Sequence, residues 1–230
     1  MPVDMWPSLQ SQDISSLTPP RTGRDMGDFI RQPQVDFEDF DAFRDTRPKE
    51  EKWELIGGVP MMMPPPTPLH RRISGNIHRA INSVLDPARS GWRADCEIGL
   101  KLPEDRKYNP EPDVTVIDRD SGLDQIYAER FYFVAEVLSE ANRPEHRDGS
   151  DQPQVLAVKL AWYKKHPHCR GVLFLEQRRV EGELHLRGKR WQKQQLTAPA
   201  DRIVIPDIGD IGSLGALYRD TPLYPGEAAL

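Results

Sequence analysis

The sequence predicts a layered domain of α/β or α+β type, and three observations carry that prediction. Short β-compatible runs recur between residues 52 and 205, separated by polar turns. Two longer stretches, 68–86 and 154–166, carry apolar residues at helical spacing. One run, 131–138, is apolar on both faces except for a single glutamate, the pattern of a central strand covered on both sides.

Taken in order, residues 1–35 hold five prolines and four serines without helical or strand periodicity, and are expected to form a poorly ordered leader. The folded body is assigned to residues 36–220 and a short C-terminal tail to 221–230. Phe37, Phe40 and Phe43 recur behind Asp36, a capping residue, so a short amphipathic helix should begin there. Residues 52–56 and 59–63 flank Gly57-Gly58, the signature of a β-hairpin. Three prolines, 64–66, stop the sheet. Thr67-Pro68 then supplies a cap and a first helical position, and Ile73, Ile77, Ile81 and Val84/Leu85 form one stripe ending near Asp86-Pro87.

Strands follow at 92–102, 113–117 and 131–138. A polar, proline-containing connection spans 139–158 up to and into a helix over about 154–166. Short strands near 172–176, 183–187, 190–196 and 202–205 complete the chain, and no internal repeat is visible.

The 230 residues include 31 Lys or Arg and 36 Asp or Glu, a net charge of −5, with 37% hydrophobic residues. One domain with a lean core is the natural reading. The longest apolar run is too short to span a membrane, and the N-terminus lacks a signal-peptide pattern. Cys96 and Cys169 alone provide no disulfide framework, and a cytoplasmic location is expected. The net charge argues against strong non-specific nucleic-acid binding. Its distribution qualifies this: residues 94–145 carry a net −7 and residues 159–193 a net +7, including Arg178, Arg179, Arg187, Lys189 and Arg190. Such a basic half suits a phosphate backbone, or is a set of solvated strand faces.

Three charged residues violate the apolar pattern, and a buried charge is costly unless paired, hydrogen-bonded or bound to a metal. Glu136 lies inside 131–138 on the face of Tyr132, Val134 and Leu138. Asp113 opens the preceding strand, where it can meet Glu136 across neighbouring strand ends; two such carboxylates can share a hard cation. Lys159 falls in the middle of the stripe formed by Val155, Leu156, Trp162 and Tyr163. Each alone is explained by a structural ion pair. Together they point to a site.

Pro112-Asp113-Val114, Glu136-Val137-Leu138 and a following helix with 159–163, KLAWY, resemble the PD-(D/E)XK restriction-endonuclease-like superfamily. The similarity is greatest to its bacterial branch of putative restriction endonucleases, in which the lysine is supplied by the helix after the E-x-L strand. The phrases at 53–73 and 136–142 resemble that branch as well, so the likeness runs from about Phe37 to Ile211. It departs at Leu138, where the superfamily motif has lysine, and in the long 139–158 connection. The resemblance implies an α/β, restriction-endonuclease-like mixed central sheet flanked by helices, with additional antiparallel strands.

It further implies a metal-dependent endonuclease acting on nucleic acid, DNA above all, as a homodimer. Asp113 and Glu136 would hold Mg²⁺ or Mn²⁺ with the Val137 carbonyl. Lys159 would orient or deprotonate the attacking water, a role favoured if burial lowers its pKa. Glu54 is either a further acidic residue at the edge of the site or an exposed hairpin glutamate. His70 is either a phosphate contact or solvated. The 166–169 sequence, His-Pro-His-Cys, lacks a second ligand pair for zinc and reads as a helix end. The rival function is a non-catalytic module on the same fold, binding nucleic acid or protein.

Overall fold

A computed structural model of the chain describes residues 34–86, 91–122, 124–139 and 152–226. The expected leader, except for its last two residues, lies outside them, as do most of the long connection before the lysine helix and the end of the tail.

Helix α1, Phe37–Asp45, starts at Asp36, whose side chain accepts the Asp39 N–H at 3.1 Å. The hairpin strands β1, Lys52–Ile56, and β2, Val59–Met63, pair antiparallel. Gly57 and Gly58 both have positive φ, 62° and 82°, which the two-residue turn demands. Helix α2, Pro68–Leu85, is capped by Thr67 and buries Ile73, Ile77, Ile81 and Leu85. Burial of each such side chain contributes about 1.5–3 kcal/mol.

Six strands form the central sheet, in the order β10-β9-β8-β7-β5-β3. They are β3, Trp92–Cys96; β5, Val114–Asp118; β7, Phe133–Leu138; β8, Gly171–Glu176; β9, Gly182–Arg187; and β10, Trp191–Leu196. Only β7 and β8 run parallel, so the sheet is mixed. A parallel pair needs a crossover, and helix α3, Gln152–Lys165, lies within it. One face of the sheet packs on α2, an antiparallel ribbon of β11, Arg202–Ile205, and β12, Gly209–Ser213, and a 3-10 turn at Gly215–Tyr218. The other face meets Trp162 and Tyr163 of α3. No helix among the described residues is long and apolar enough to cross a membrane.

Two local expectations change. The run at 92–102 breaks at Glu97, whose φ is 54°, and the following β4, Gly99–Leu100, leaves the main sheet to pair with β6, Tyr127–Ala128. Val134 shares the α3 side with Glu136, but Tyr132, one residue before β7 begins, packs on the α2 side. Strand alternation does not extend past the strand's end.

Candidate active site

Antiparallel pairing sets the two predicted carboxylates side by side. Val114 of β5 stands opposite Ala135 of β7, so Asp113 and Glu136 occupy the next positions along the same edge. The Val137 N–H donates to Asp113 Oδ2 at 2.6 Å, and His70 Nε2 lies 2.8 Å from Asp113 Oδ1. His70 is presented by the first turn of α2, where its N–H is held by Thr67 Oγ1 at 3.2 Å. Gln177 secures this corner, donating from its side chain to Thr67 at 2.9 Å and from its backbone to the Leu138 carbonyl at 3.0 Å.

Lys159 comes from α3 on the opposite side of the cleft. Its Nζ lies 2.6 Å from Glu136 Oε1 and 3.0 Å from Glu54 Oε2, and the three side chains are almost wholly buried. Glu54 is thus not an exposed hairpin residue. Buried Asn109 exchanges backbone hydrogen bonds with Leu55, at 2.8 and 3.3 Å, and pins the hairpin beside the strand leading to Asp113. The Glu111 N–H then donates to Glu54 Oε1 at 3.2 Å. Glu54 Oε2 is buried without a hydrogen bond, although it faces the Lys159 charge.

A cavity of about 310 Å³ opens over this cluster. Among the described residues five carboxylates line it, Glu54, Glu97, Glu111, Asp113 and Glu136, against Lys52, Lys159 and Arg178, a formal excess of negative charge. Burial pulls the Lys159 ammonium toward neutrality, but Glu136 and Glu54 outweigh it and raise its pKa. The condition that would favour Lys159 as a base, a pKa lowered by burial, is not met because two carboxylates accompany the lysine into the interior. Glu136 is raised above the ordinary carboxylate value by burial and by Glu54 and Asp113, against the pull of Lys159. Asp113 is held low: burial opposes this, but the His70 ring, the Val137 N–H and Lys52 prevail.

The donor set suits a hard divalent cation. Among the described residues no three His, Cys, Asp or Glu side chains converge to enclose an ion unaided. Magnesium takes one or two carboxylates and completes its octahedron with water and substrate oxygens. Asp113 and Glu136 supply two carboxylates: each Asp113 oxygen keeps a lone pair beyond its present hydrogen bond, and on Glu136 the donors Tyr163 and Lys159 both meet Oε1, leaving Oε2 to a cation. The uncompensated negative charge is what a dication would neutralise.

A family model described as "Uma2: Putative restriction endonuclease" matches residues 37–212. The chain belongs to the Uma2 family. Among solved structures, it is similar to a "putative nuclease belonging to DUF820" from Anabaena variabilis ATCC 29413, with a TM-score of 0.59 and 19% identity, over 77% of this chain and 96% of that one. That likeness shows a shared mixed α/β fold. No curated protein matches the sequence.

Within this Uma2 domain, sequence reasoning missed Tyr163, whose hydroxyl donates to Glu136 Oε1 at 2.7 Å. Its signal was present: Tyr163 stands four residues after Lys159, on the same helix face. Tyr163→Phe removes a donor to ionised Glu136 and should raise that group's pKa further. If Glu136 must be ionised for turnover, the acid limb of the pH–rate profile moves upward, with a larger loss at pH 6 than at pH 8. Lys52 and Glu111 were missed as well; each lies two residues before a site carboxylate and lines the same cavity, Lys52 on the strand face of Glu54.

The basic stretch toward the C-terminus is not one surface. Arg178 borders the site cavity, whereas β9 runs back from it, carrying Arg187, Lys189 and Arg190 to the far end of the sheet. The separation is about 13 Å or more along the strands. Arg187 is structural: its guanidinium donates to the carbonyls of Lys164, His166 and Pro167 at 2.8, 2.5 and 3.1 Å and covers Trp191. Arg187→Ala should cost about 1–3 kcal/mol, read as a lower denaturation midpoint, without changing nucleic-acid affinity. His166 likewise packs, its ring stacked on Phe131 at 4.0 Å and its Nε2 3.1 Å from the Glu129 carbonyl.

Proposed function

We propose that this chain is a divalent-metal-dependent endonuclease that hydrolyses phosphodiester bonds of DNA. The observation that supports this most is the meeting of Asp113, Glu136 and Lys159, from two strand ends and a helix, in one acid-rich cavity. Asp113 and Glu136 would hold Mg²⁺ or Mn²⁺, with the Val137 carbonyl as a further oxygen. When bound, the ion supplies charge neutralisation at the phosphate and a water of lowered pKa.

The chain's own residues do the rest. Lys159, kept protonated by Glu136 and Glu54, acts as a fixed positive charge and hydrogen-bond donor to the attacking water and the phosphate oxygens, rather than as a base. Glu54 positions that ammonium from the hairpin, and Tyr163 positions Glu136 from the same helix as the lysine. His70 fixes Asp113 at the cavity edge, beside the space a phosphate would occupy. One site per chain cuts one strand, so breaking both strands of a duplex calls for a two-fold pair of chains.

The test is incubation of purified protein with supercoiled plasmid, and separately with single-stranded DNA and RNA, in Mg²⁺ or Mn²⁺ and in EDTA. Metal-dependent nicking or linearisation of the plasmid is expected. Metal-independent cleavage, or none on any substrate, contradicts the proposal.

A further inference from the structure

Helix α2 begins at the site and continues away from it, and its 18 residues contain no Asp or Glu. Its apolar stripe faces the sheet. On the opposite side Arg71, Arg72 and Arg79 are exposed around Gly75, and these side chains with Pro68 line a shallow depression of about 260 Å³. Most of the described arginines stand beside a carboxylate. Arg44, Arg47, Arg93, Arg106, Arg119, Arg130, Arg170, Arg179 and Arg202 each have a carboxylate partner. Among the described residues, Arg71 and Arg72 have no side-chain hydrogen bond or ion pair, and Arg79 bonds only the neutral Asn76 amide oxygen at 3.1 Å.

Gly75 is a second, independent observation. A glycine inside a helix is destabilising relative to alanine. Here a Cβ would meet nothing within 4 Å, so the fold has no steric need for it. Its absence leaves the helix backbone open to close approach from outside, at the centre of the three arginines. The depression also adjoins the approach to the site through Arg71. Arg71 borders a groove of about 1050 Å³ that shares Lys52, Met63, Pro65, Glu97 and Glu111 with the carboxylate cavity.

We propose that this face of α2 binds the phosphate backbone of duplex DNA to one side of the scissile bond. Arg71, Arg72 and Arg79 donate to phosphate oxygens, and Gly75 lets the backbone lie against the helix. From His70 to Arg79 the helix rises about 13 Å, enough for about four phosphates of one strand at their axial spacing. The inference rests on the nuclease reading and adds where the substrate lies outside the cavity.

The test is fluorescence anisotropy with a labelled duplex DNA in EDTA, over a range of salt concentrations. It compares wild type, the Arg71→Ala/Arg72→Ala/Arg79→Ala triple variant, Gly75→Gln, and Lys189→Ala/Arg190→Ala at the far end of the sheet. The triple variant should bind on the order of a hundredfold more weakly at 0.1 M salt, with a log–log salt slope shallower by about 2–3. Gly75→Gln, which removes no charge and favours the helix, should weaken binding at least fivefold while its melting temperature holds or rises. The far-end variant should bind as wild type does.

Wild-type affinity and slope in the triple variant, or triple and far-end variants equally weakened, would overturn the α2 surface while leaving the nuclease reading intact. A wild-type protein that neither binds nor cleaves the duplex would overturn both, and cleavage by the wild type separates the two cases.

Discussion

Lys159→Ala is expected to lower the stability of the metal-free protein by about 3–5 kcal/mol, because it strands two carboxylates in the interior without their counter-charge. It should also lower cleavage by a factor on the order of a thousand, the range seen when a donor aimed at developing charge is removed. The two losses should respond differently to metal. A dication at Asp113 and Glu136 restores positive charge to the cluster and raises the variant's melting temperature by more than it raises that of wild type. It cannot restore the directed hydrogen bonds of the ammonium, so activity stays lost. Thermal melts with and without Mn²⁺, beside a nicking assay, read both effects; an unaltered melting temperature in the metal-free variant would mean that the buried pair carries no stability.

Asp113→Asn and Glu136→Gln should each weaken Mn²⁺ binding by a hundredfold or more, as loss of a direct ligand should exceed the 10- to 100-fold cost of losing an outer partner. Their effects on the metal-free fold should have opposite signs. Asp113 titrates below its unfolded value, so its ionised form stabilises the fold above about pH 3.9 and that contribution is lost as pH falls through the depressed folded value. Replacement by Asn removes it at neutral pH. Glu136 titrates above its unfolded value, so the native state binds the extra proton and stability falls as pH rises from about 4.3 through the raised folded value. At pH 8 Gln avoids that cost and should raise the melting temperature. Calorimetric Mn²⁺ titrations and melts at pH 8 check both. The same linkage makes metal binding tighten as pH rises through the raised Glu136 value, below which the ion must displace a proton.

Much of this site was legible because it violates a pattern. Lys159 stands in the middle of an apolar helical stripe, and Glu136 interrupts a strand otherwise apolar on both faces; in each case periodicity identifies the face and the charge marks the exception. The hairpin was legible from Gly57-Gly58 because two successive positive φ angles leave few other residues. What was not legible depends on distant partners. The charge state of Lys159 is set by Glu136 and then by Glu54, which arrives from a hairpin 105 residues earlier and is seated by Asn109. Burial alone predicts a lowered pKa, the wrong sign; the two carboxylates together reverse it.

Charge counted along the chain misled for a related reason. Residues 178–190 form one basic segment in sequence, but the antiparallel return of β9 carries its two ends to opposite ends of the sheet. The arginines of α2 escaped notice because only three are spread over a helix read for its apolar stripe. Their significance lies in lacking carboxylate neighbours, which is a tertiary property.

Lys159 and the Asp113–Glu136 pair are proposed to act together on a phosphodiester. The most direct test is nicking of supercoiled plasmid in Mn²⁺ by wild type and by Lys159→Met, which keeps a side chain of similar length without the charge. Nicking by wild type is expected, with none in EDTA and none by a Lys159→Met protein that remains folded and still binds Mn²⁺. Equal nicking by the two proteins would contradict that joint action.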